Sequence, residues 1–207
     1  MPLEIPVEMT NFARELEQVP ALPTNAINVF GSTYCENVET NFVIKKLHHL
    51  PGNDKYRIEK SGRFSGLKID YSLGNTRSLV TLAGGKVCIV RDTLLSLHHR
   101  TLLLNNESNA KVLLKDRHAF QKVPLVDVWF LNGSQAHSET SIDSYQTPDF
   151  SLVKSNVDEN FLFVGRNNEL YAKLMMVDST NCKEYHLSIS PYVDSALILM
   201  VTICANL

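Results

Sequence analysis

The sequence predicts a mainly β fold: a single closed antiparallel barrel of about twelve strands wrapped around a buried hydrophobic C-terminal helix. Three observations predict it. The stretch from Ser190 to Leu207 reads as a helix that is apolar on nearly every side. From Thr40 onward, short apolar runs are divided by Gly, Asn, Asp and Pro turn residues. In the C-terminal third those runs alternate with a period of two, as strands with one buried face do. A helix without a polar side has to be surrounded, and hairpin-spaced strands are what the chain offers to surround it.

Taken in order, residues 1–30 form an N-terminal arm and residues 31–207 the barrel domain. The arm carries Pro2, Pro6, Pro20 and Pro23. Between them Phe12, Leu16 and Val19 recur at helical spacing within 8–19, which permits one short amphipathic helix; a loosely attached arm is the alternative. Phe42-Val43-Ile44 then runs into Lys45 and Lys46, and Pro51-Gly52-Asn53-Asp54 makes a turn. Tyr56-Arg57-Ile58, a turn at Ser61-Gly62, Leu67–Asp70, a turn at Gly74-Asn75, and Ser78–Leu82 follow. Gly84-Gly85 is a hairpin turn before Lys86–Val90. Arg100–Leu104, Lys111–Lys115 and Leu125–Leu131 are further strands, and the polar stretch 132–147 is a long exposed loop.

Phe150 with Leu152, and Phe161 with Phe163, keep the two-residue period. Leu170, Ala172, Leu174 and Met176 share one face of their strand, and Tyr185, Leu187 and Ile189 share one face of the last. In the terminal helix Ser190 is placed as N-cap, Pro191 at the first helical position, and Asp194 as a first-turn carboxylate beside the positive end of the dipole. Leu197, Leu199, Val201 and Ile203 are its core residues. The unbroken apolar run from Ala196 to Ile203 is far shorter than the roughly 20 residues a bilayer span needs, so a membrane helix is rejected.

The chain is long enough to bury a sizeable core. Its formal charge of −2 gives no global pull toward nucleic acid, so any anion site has to be a local patch. Met1-Pro2-Leu3-Glu4-Ile5-Pro6 has neither a basic nor an apolar leader region, which predicts an intracellular protein. Cys35, Cys88, Cys182 and Cys204 show no metal or disulfide spacing and are read as free thiols. The sequons at Asn106 and Asn132 then mark only polar turns.

No nucleophile elbow, phosphate loop or dinucleotide fingerprint occurs in the sequence. Ala83-Gly84-Gly85-Lys86 lacks the spacing of a phosphate loop and is read as the hairpin. Neighbouring residues on a strand point to opposite faces, so neither His48-His49 nor His98-His99 can chelate one metal through both rings. The expectation is a non-enzymatic chain with no cofactor and no metal site.

With the elements assigned, the sequence from about Tyr34 to Leu207 resembles the LURP-one-related family, which shares the fold of the tubby C-terminal domain and the phospholipid scramblases. The resemblance is carried by Tyr34-Cys35, Phe42–Lys46, Gly84–Val90 and Leu95–Arg100. It continues in Val126–Leu131 with its long loop, Asp149–Lys154, and Pro191-Tyr192-Val193-Asp194. Where the family reads His-Asp-Arg-Trp, this chain has His98-His99-Arg100-Thr101; a Gly and a Trp usual after Lys154 are Ser155 and Val157, so it is a diverged member.

The resemblance implies a twelve-stranded barrel around a buried helix and a binding module that holds phosphoinositide head groups, linked to plant defence signalling. The expected location is the cytoplasm, peripheral to the plasma membrane, with the nucleus left open. Basic residues concentrate in the middle of the chain, and Lys45, Lys46, Arg100, Lys115 and Arg117 are the candidate lipid-binding residues. A solvated barrel exterior is the plain alternative for them. The other functional readings are a scramblase-like lipid handler, for which the Pro-rich arm, Cys cluster and longer apolar tail are lacking, and a protein–protein scaffold.

Overall fold

The structure, a computed structural model, describes residues 21–47, 56–71, 77–93, 100–105, 107, 109–117, 125–131, 147–155, 160–178 and 182–205. The stretch 8–19, both His pairs, the turns at 51–54 and 74–75 and residues 132–146 lie outside the described residues.

Among these residues one antiparallel sheet of thirteen strands is formed. In chain order they are β1 (Thr40–Leu47), β2 (Tyr56–Lys60), β3 (Arg63–Phe64), β4 (Leu67–Tyr71), β5 (Arg77–Thr81), β6 (Lys86–Thr93) and β7 (Arg100–Leu104). They continue as β8 (Ala110–Asp116), β9 (Val126–Phe130), β10 (Phe150–Lys154), β11 (Phe161–Gly165), β12 (Leu170–Asp178) and β13 (Cys182–Ile189). The one α-helix among the described residues, α1, spans Ser195–Cys204, and a single 3-10 turn lies at Ser32–Tyr34. Strand order is β3-β2-β1-β13-β12-β11-β10-β9-β8-β7-β6-β5-β4. β3, two residues long and absent from the sequence reading, leaves twelve full strands. The seam lies where β3 turns into β4: Ser65 N–H donates to the Ile58 carbonyl at 3.2 Å and Leu82 N–H to the Gly66 carbonyl at 3.0 Å. The barrel is therefore nearly closed.

Two turns show why these sequences fold where they do. Ser61 and Gly62 join β2 to β3 with φ of 48° and 75°, the pair of positive values that a tight two-residue hairpin needs. Gly84, at φ 83°, turns β5 into β6, with Thr81 N–H bonded to the Gly85 carbonyl. Register shifts at Leu79/Val80, Leu103/Leu104 and Phe163/Val164 insert the local bends that help a sheet curl.

Strand parity sorts the side chains. Ile44, Ile58, Leu79, Leu103, Leu152, Phe163, Leu174 and Leu187 point inward and pack in one cluster with α1. Every helix residue from Ser195 to Ile203 is buried, so Leu197, Leu199, Val201 and Ile203 occupy the barrel axis as expected. Thr202 satisfies its hydroxyl locally by donating to the Ile198 carbonyl at 2.8 Å.

The helix start differs from the sequence reading. Asp194, not Ser190, is the N-cap, and its side chain accepts from the Ala196 and Leu197 N–H groups. Tyr192 adopts φ 64°, a left-handed conformation that a helix begun at Pro191 would not allow. Ser190 instead donates its hydroxyl to the Leu170 carbonyl at 2.6 Å. Pro191–Val193 thus forms a turn that swings the chain from the barrel wall into its interior.

Candidate functional site

Three features could carry function: the Asp194 junction, the lower rim where α1 ends, and the outer wall.

Asp194 is fully buried and sits where three segments meet. Oδ1 accepts from Ala196 N–H at 3.0 Å and Leu197 N–H at 3.2 Å. Oδ2 accepts from Val29 N–H at 2.9 Å and Phe30 N–H at 2.6 Å. Its own N–H donates to the Ile27 carbonyl, and Ser195 Oγ donates to the Tyr34 carbonyl. One carboxylate therefore caps the helix and ties the segment 27–35 across the upper rim. Burial pushes its pKa above the usual value, opposed by those four N–H donors. With every lone-pair direction occupied by backbone, the group is structural and has no access to a substrate.

Antiparallel register carries the C-terminal ends of β1, β6 and β8 and the N-terminal ends of β2, β5, β7 and β9 to the lower rim. All five basic candidates lie toward this rim, on two separate arcs. Lys45 and Lys46 are on β1; Arg100 begins β7, opposite Lys115 of β8, and Arg117 follows β8. Between β1 and β7 stand β2, the short β3, β4, β5 and β6 on the shorter side of the barrel. Parity separates the first pair further: Lys46 shares the inward face with Ile44, and Lys45 points out.

Lys45 lies between Glu59, at 3.5 Å, and Glu184, at 3.8 Å. Arg57 also pairs with Glu59, and His186 is 3.5 Å from Glu184, so the outer wall of β2-β1-β13 is a charge-balanced lattice. Lys46 stands 6.0 Å from the centre of the Tyr56 ring. Arg117 forks onto Asp127 at 2.6 and 3.3 Å, and Asp127 also accepts from Ser151 Oγ at 2.5 Å. Such half-exposed pairs contribute about 0–1 kcal/mol each.

One lower-rim cluster was missed by the sequence reading. Arg77 donates through Nη2 to both oxygens of Asp92, at 3.0 and 3.1 Å, and Thr101 Oγ1 donates to Asp92 Oδ1 at 2.8 Å. All three share the inward parity of Leu79, Val90 and Leu103, so this triad helps line the barrel floor below α1. A carboxylate and a guanidinium at inward strand positions were the available signal. Thr101 acts here as a hydrogen-bond donor.

Cys35, Cys88 and Cys204 are free thiols. Burial pushes Cys35 up to about 11 with a further push from Asp194, and pushes Cys204 up to about 12 against the opposing Arg77 guanidinium. Cys88 is raised further by the same desolvation. Because the thiolate is the reactive form, Cys88 and Cys204 should label slowly with a thiol reagent at neutral pH and rapidly after denaturation. Mass spectrometry of a labelling time course checks this; fast native labelling of both would contradict the filled core. Among the described residues no group of three or more His, Cys, Asp or Glu side chains is placed to hold a metal. None of the described helices is long and apolar enough to cross a membrane.

No family model matches the chain, and no curated protein matches it. Among solved structures it is similar to the X-ray structure of a protein from Arabidopsis thaliana, with a TM-score of 0.59 at 16% identity. The match covers 86% of this chain and 96% of that one. That likeness shows the fold. A mainly β, nearly closed antiparallel barrel with one C-terminal helix is thus common to both chains.

Proposed function

We propose that the chain is a non-enzymatic binding module of the LURP-one-related, tubby-like kind, which holds an anionic phosphoinositide head group at a membrane surface through its lower rim. The observation that carries this reading is the filled barrel. With Leu197, Leu199 and Val201 fully buried on the axis, the helix occupies the space in which an empty barrel holds a ligand. Binding then belongs to the exterior, and the register brings Lys46, Arg100, Lys115 and Arg117 toward one rim. A flat anionic surface can engage several arcs of one rim together, which a single small-molecule pocket cannot. Linkage to defence signalling follows only from the family resemblance and is part of the same proposal.

The test is pelleting with liposomes containing phosphoinositide at two salt concentrations. Each Lys or Arg near an anionic surface contributes about 1 kcal/mol, so Lys46→Glu combined with Lys115→Glu should weaken binding more than about tenfold. Lys45 is a poorer choice, since reversing it would set a third carboxylate against Glu59 and Glu184. The defect should shrink as salt shortens the screening length from about 10 Å at 0.1 M to about 3 Å at 1 M. If wild-type protein stays in the supernatant at low salt, the membrane reading fails and a protein partner replaces it.

A further inference from the structure

The large apolar side chains left exposed among the described residues fall into two groups. Met175, Met176 and Val177 lie along β12, whereas Leu22, Val38, Leu82 and Tyr192 are between 50% and 64% exposed and share one end of the barrel. Val38 leads into β1, Tyr192 follows β13, Leu82 follows β5, and Leu22 adjoins Ala21, which is bonded to the β11–β12 turn. Strand order places them on one arc of the upper rim, from β11 round to β6. In the β5–β6 turn Leu82, Ala83, Gly84 and Gly85 are all exposed without a polar side chain, and exposed Lys86 follows. Three of these four N–H groups are nevertheless bonded: Leu82 to the Gly66 carbonyl at 3.0 Å, Gly84 to the Thr81 carbonyl at 2.9 Å and Gly85 to Thr81 Oγ1 at 3.1 Å. Tyr192 is similar, since its N–H donates to the Glu36 carbonyl at 2.6 Å and its carbonyl accepts from Ile27 N–H at 2.9 Å. Its φ of 64° strains a bulky residue, whereas Asn or Gly would adopt it freely. The fold thus holds an aromatic ring in water at a cost to itself.

We propose that this arc of the upper rim seats in the interface of a phospholipid bilayer, with Leu82 and Tyr192 as its main anchors. Three observations favour a bilayer over a protein partner. The four side chains stand on separate turns rather than in one groove, so a planar medium meets them all without shape complementarity. The bonded backbone groups let the turn tips leave water at little cost, because a medium poor in hydrogen-bonding partners penalises unpaired N–H and C=O groups. The charges agree as well. Arg63 and Lys86 are exposed on the arc against Glu39, while Lys60 and Arg166 are paired with Glu36 and Asp149. A cation beside an apolar tip meets lipid phosphate while its neighbour enters the acyl boundary, and tyrosine rings favour that same level. This contact does not rest on the lower-rim reading: it needs no anionic lipid and faces the opposite end of the barrel. A chain with both contacts would join two bilayers.

The test uses the full chain and vesicles of phosphatidylcholine alone, which carry no net charge and give the lower rim no anionic surface. Wild-type protein should pellet with them and should still do so at about 1 M salt, where a charge contact is screened. Leu82→Asp combined with Tyr192→Asn should weaken pelleting more than about tenfold. The melting temperature should be kept or raised, because asparagine accepts the left-handed turn. Lys46→Glu combined with Lys115→Glu should pellet like the wild type, which separates this contact from the lower-rim one. In Leu82→Trp, emission should shift to the blue when vesicles are added, and lipid brominated on its acyl chains should quench it. Wild-type protein left in the supernatant, pelleting unaltered by Leu82→Asp with Tyr192→Asn, or unshifted emission from Leu82→Trp would each overturn the proposal. A dimer in solution that Leu82→Asp with Tyr192→Asn disperses would overturn it too, and would assign the arc to a second copy of the chain.

Discussion

Leu199→Asp is expected to give no soluble, folded protein. Leu199 is fully buried at the barrel axis, and all of its near neighbours on α1 are buried too. A carboxylate there has two courses. Ionised, it carries a desolvation cost of several kcal/mol; protonated, it still buries a hydroxyl among side chains with no partner to offer, at about 1–3 kcal/mol. Either is added to the lost packing of the leucine, which by itself costs about 2–5 kcal/mol when the side chain is cut to alanine. A domain of this kind is stable by only about 5–15 kcal/mol, so the sum consumes most or all of it. The graded test is Leu199→Ala, which should stay soluble with a lowered urea midpoint and an unchanged slope. Removal of residues 195–207 should fail like Leu199→Asp, because the inward faces of twelve strands would enclose nothing. A soluble truncated chain with the parental melting temperature would refute the central-helix account.

The fold was legible because it rests on parity. Leu170, Ala172, Leu174 and Tyr185, Leu187, Ile189 announce strands with one wet and one dry face, and the structure pairs them in register: Ala172 with Ile189 and Leu174 with Leu187. The exceptions have physical causes. Local capping rules favoured Ser190 and Pro191 as the helix start, and a tertiary contact overrode them, because Asp194 can serve Val29 and Phe30 as well as the helix. β3 is too short to show any period. In β7 the run Leu102-Leu103-Leu104 is apolar on both faces, which signals a strand covered on both sides; the sequence reading took it as a plain strand.

The candidate site was less legible for a different reason. Parity tells which wall of the barrel a lysine is on, whereas the arc it occupies depends on strand order, set by pairings up to 150 residues apart such as Thr40 with Ile189. Lys45 and Lys46, adjacent in sequence, consequently part to opposite faces. Lys115 and Arg100, fifteen residues apart, come to stand side by side.

Asp194→Ala is expected to be the most damaging polar substitution in the chain. It removes an N-cap, worth about 0.5–2 kcal/mol, and leaves the Val29 and Phe30 N–H groups without their acceptor, at about 1–3 kcal/mol for each buried donor left unpaired. The combined loss of several kcal/mol should appear in urea unfolding, with early hydrogen exchange at Val29 and Phe30. Asp194→Asn separates the two duties. Its one carbonyl oxygen can still cap Ala196 and Leu197, while its amide would face the Val29 and Phe30 donors with donors of its own. The helix should therefore survive and the segment 27–35 should detach, which exchange at individual amides will distinguish. The asparagine variant also isolates the titration. Because burial holds the folded carboxyl above its unfolded value of about 3.9, the native state binds the proton more tightly. Stability from this group is then greatest below the unfolded value and declines as pH rises through the raised folded value. The difference in stability between wild type and Asp194→Asn should slope downward across that window and level off above it. A flat difference would mean that the four N–H donors fully offset the burial, and would return Asp194 to an ordinary carboxylate.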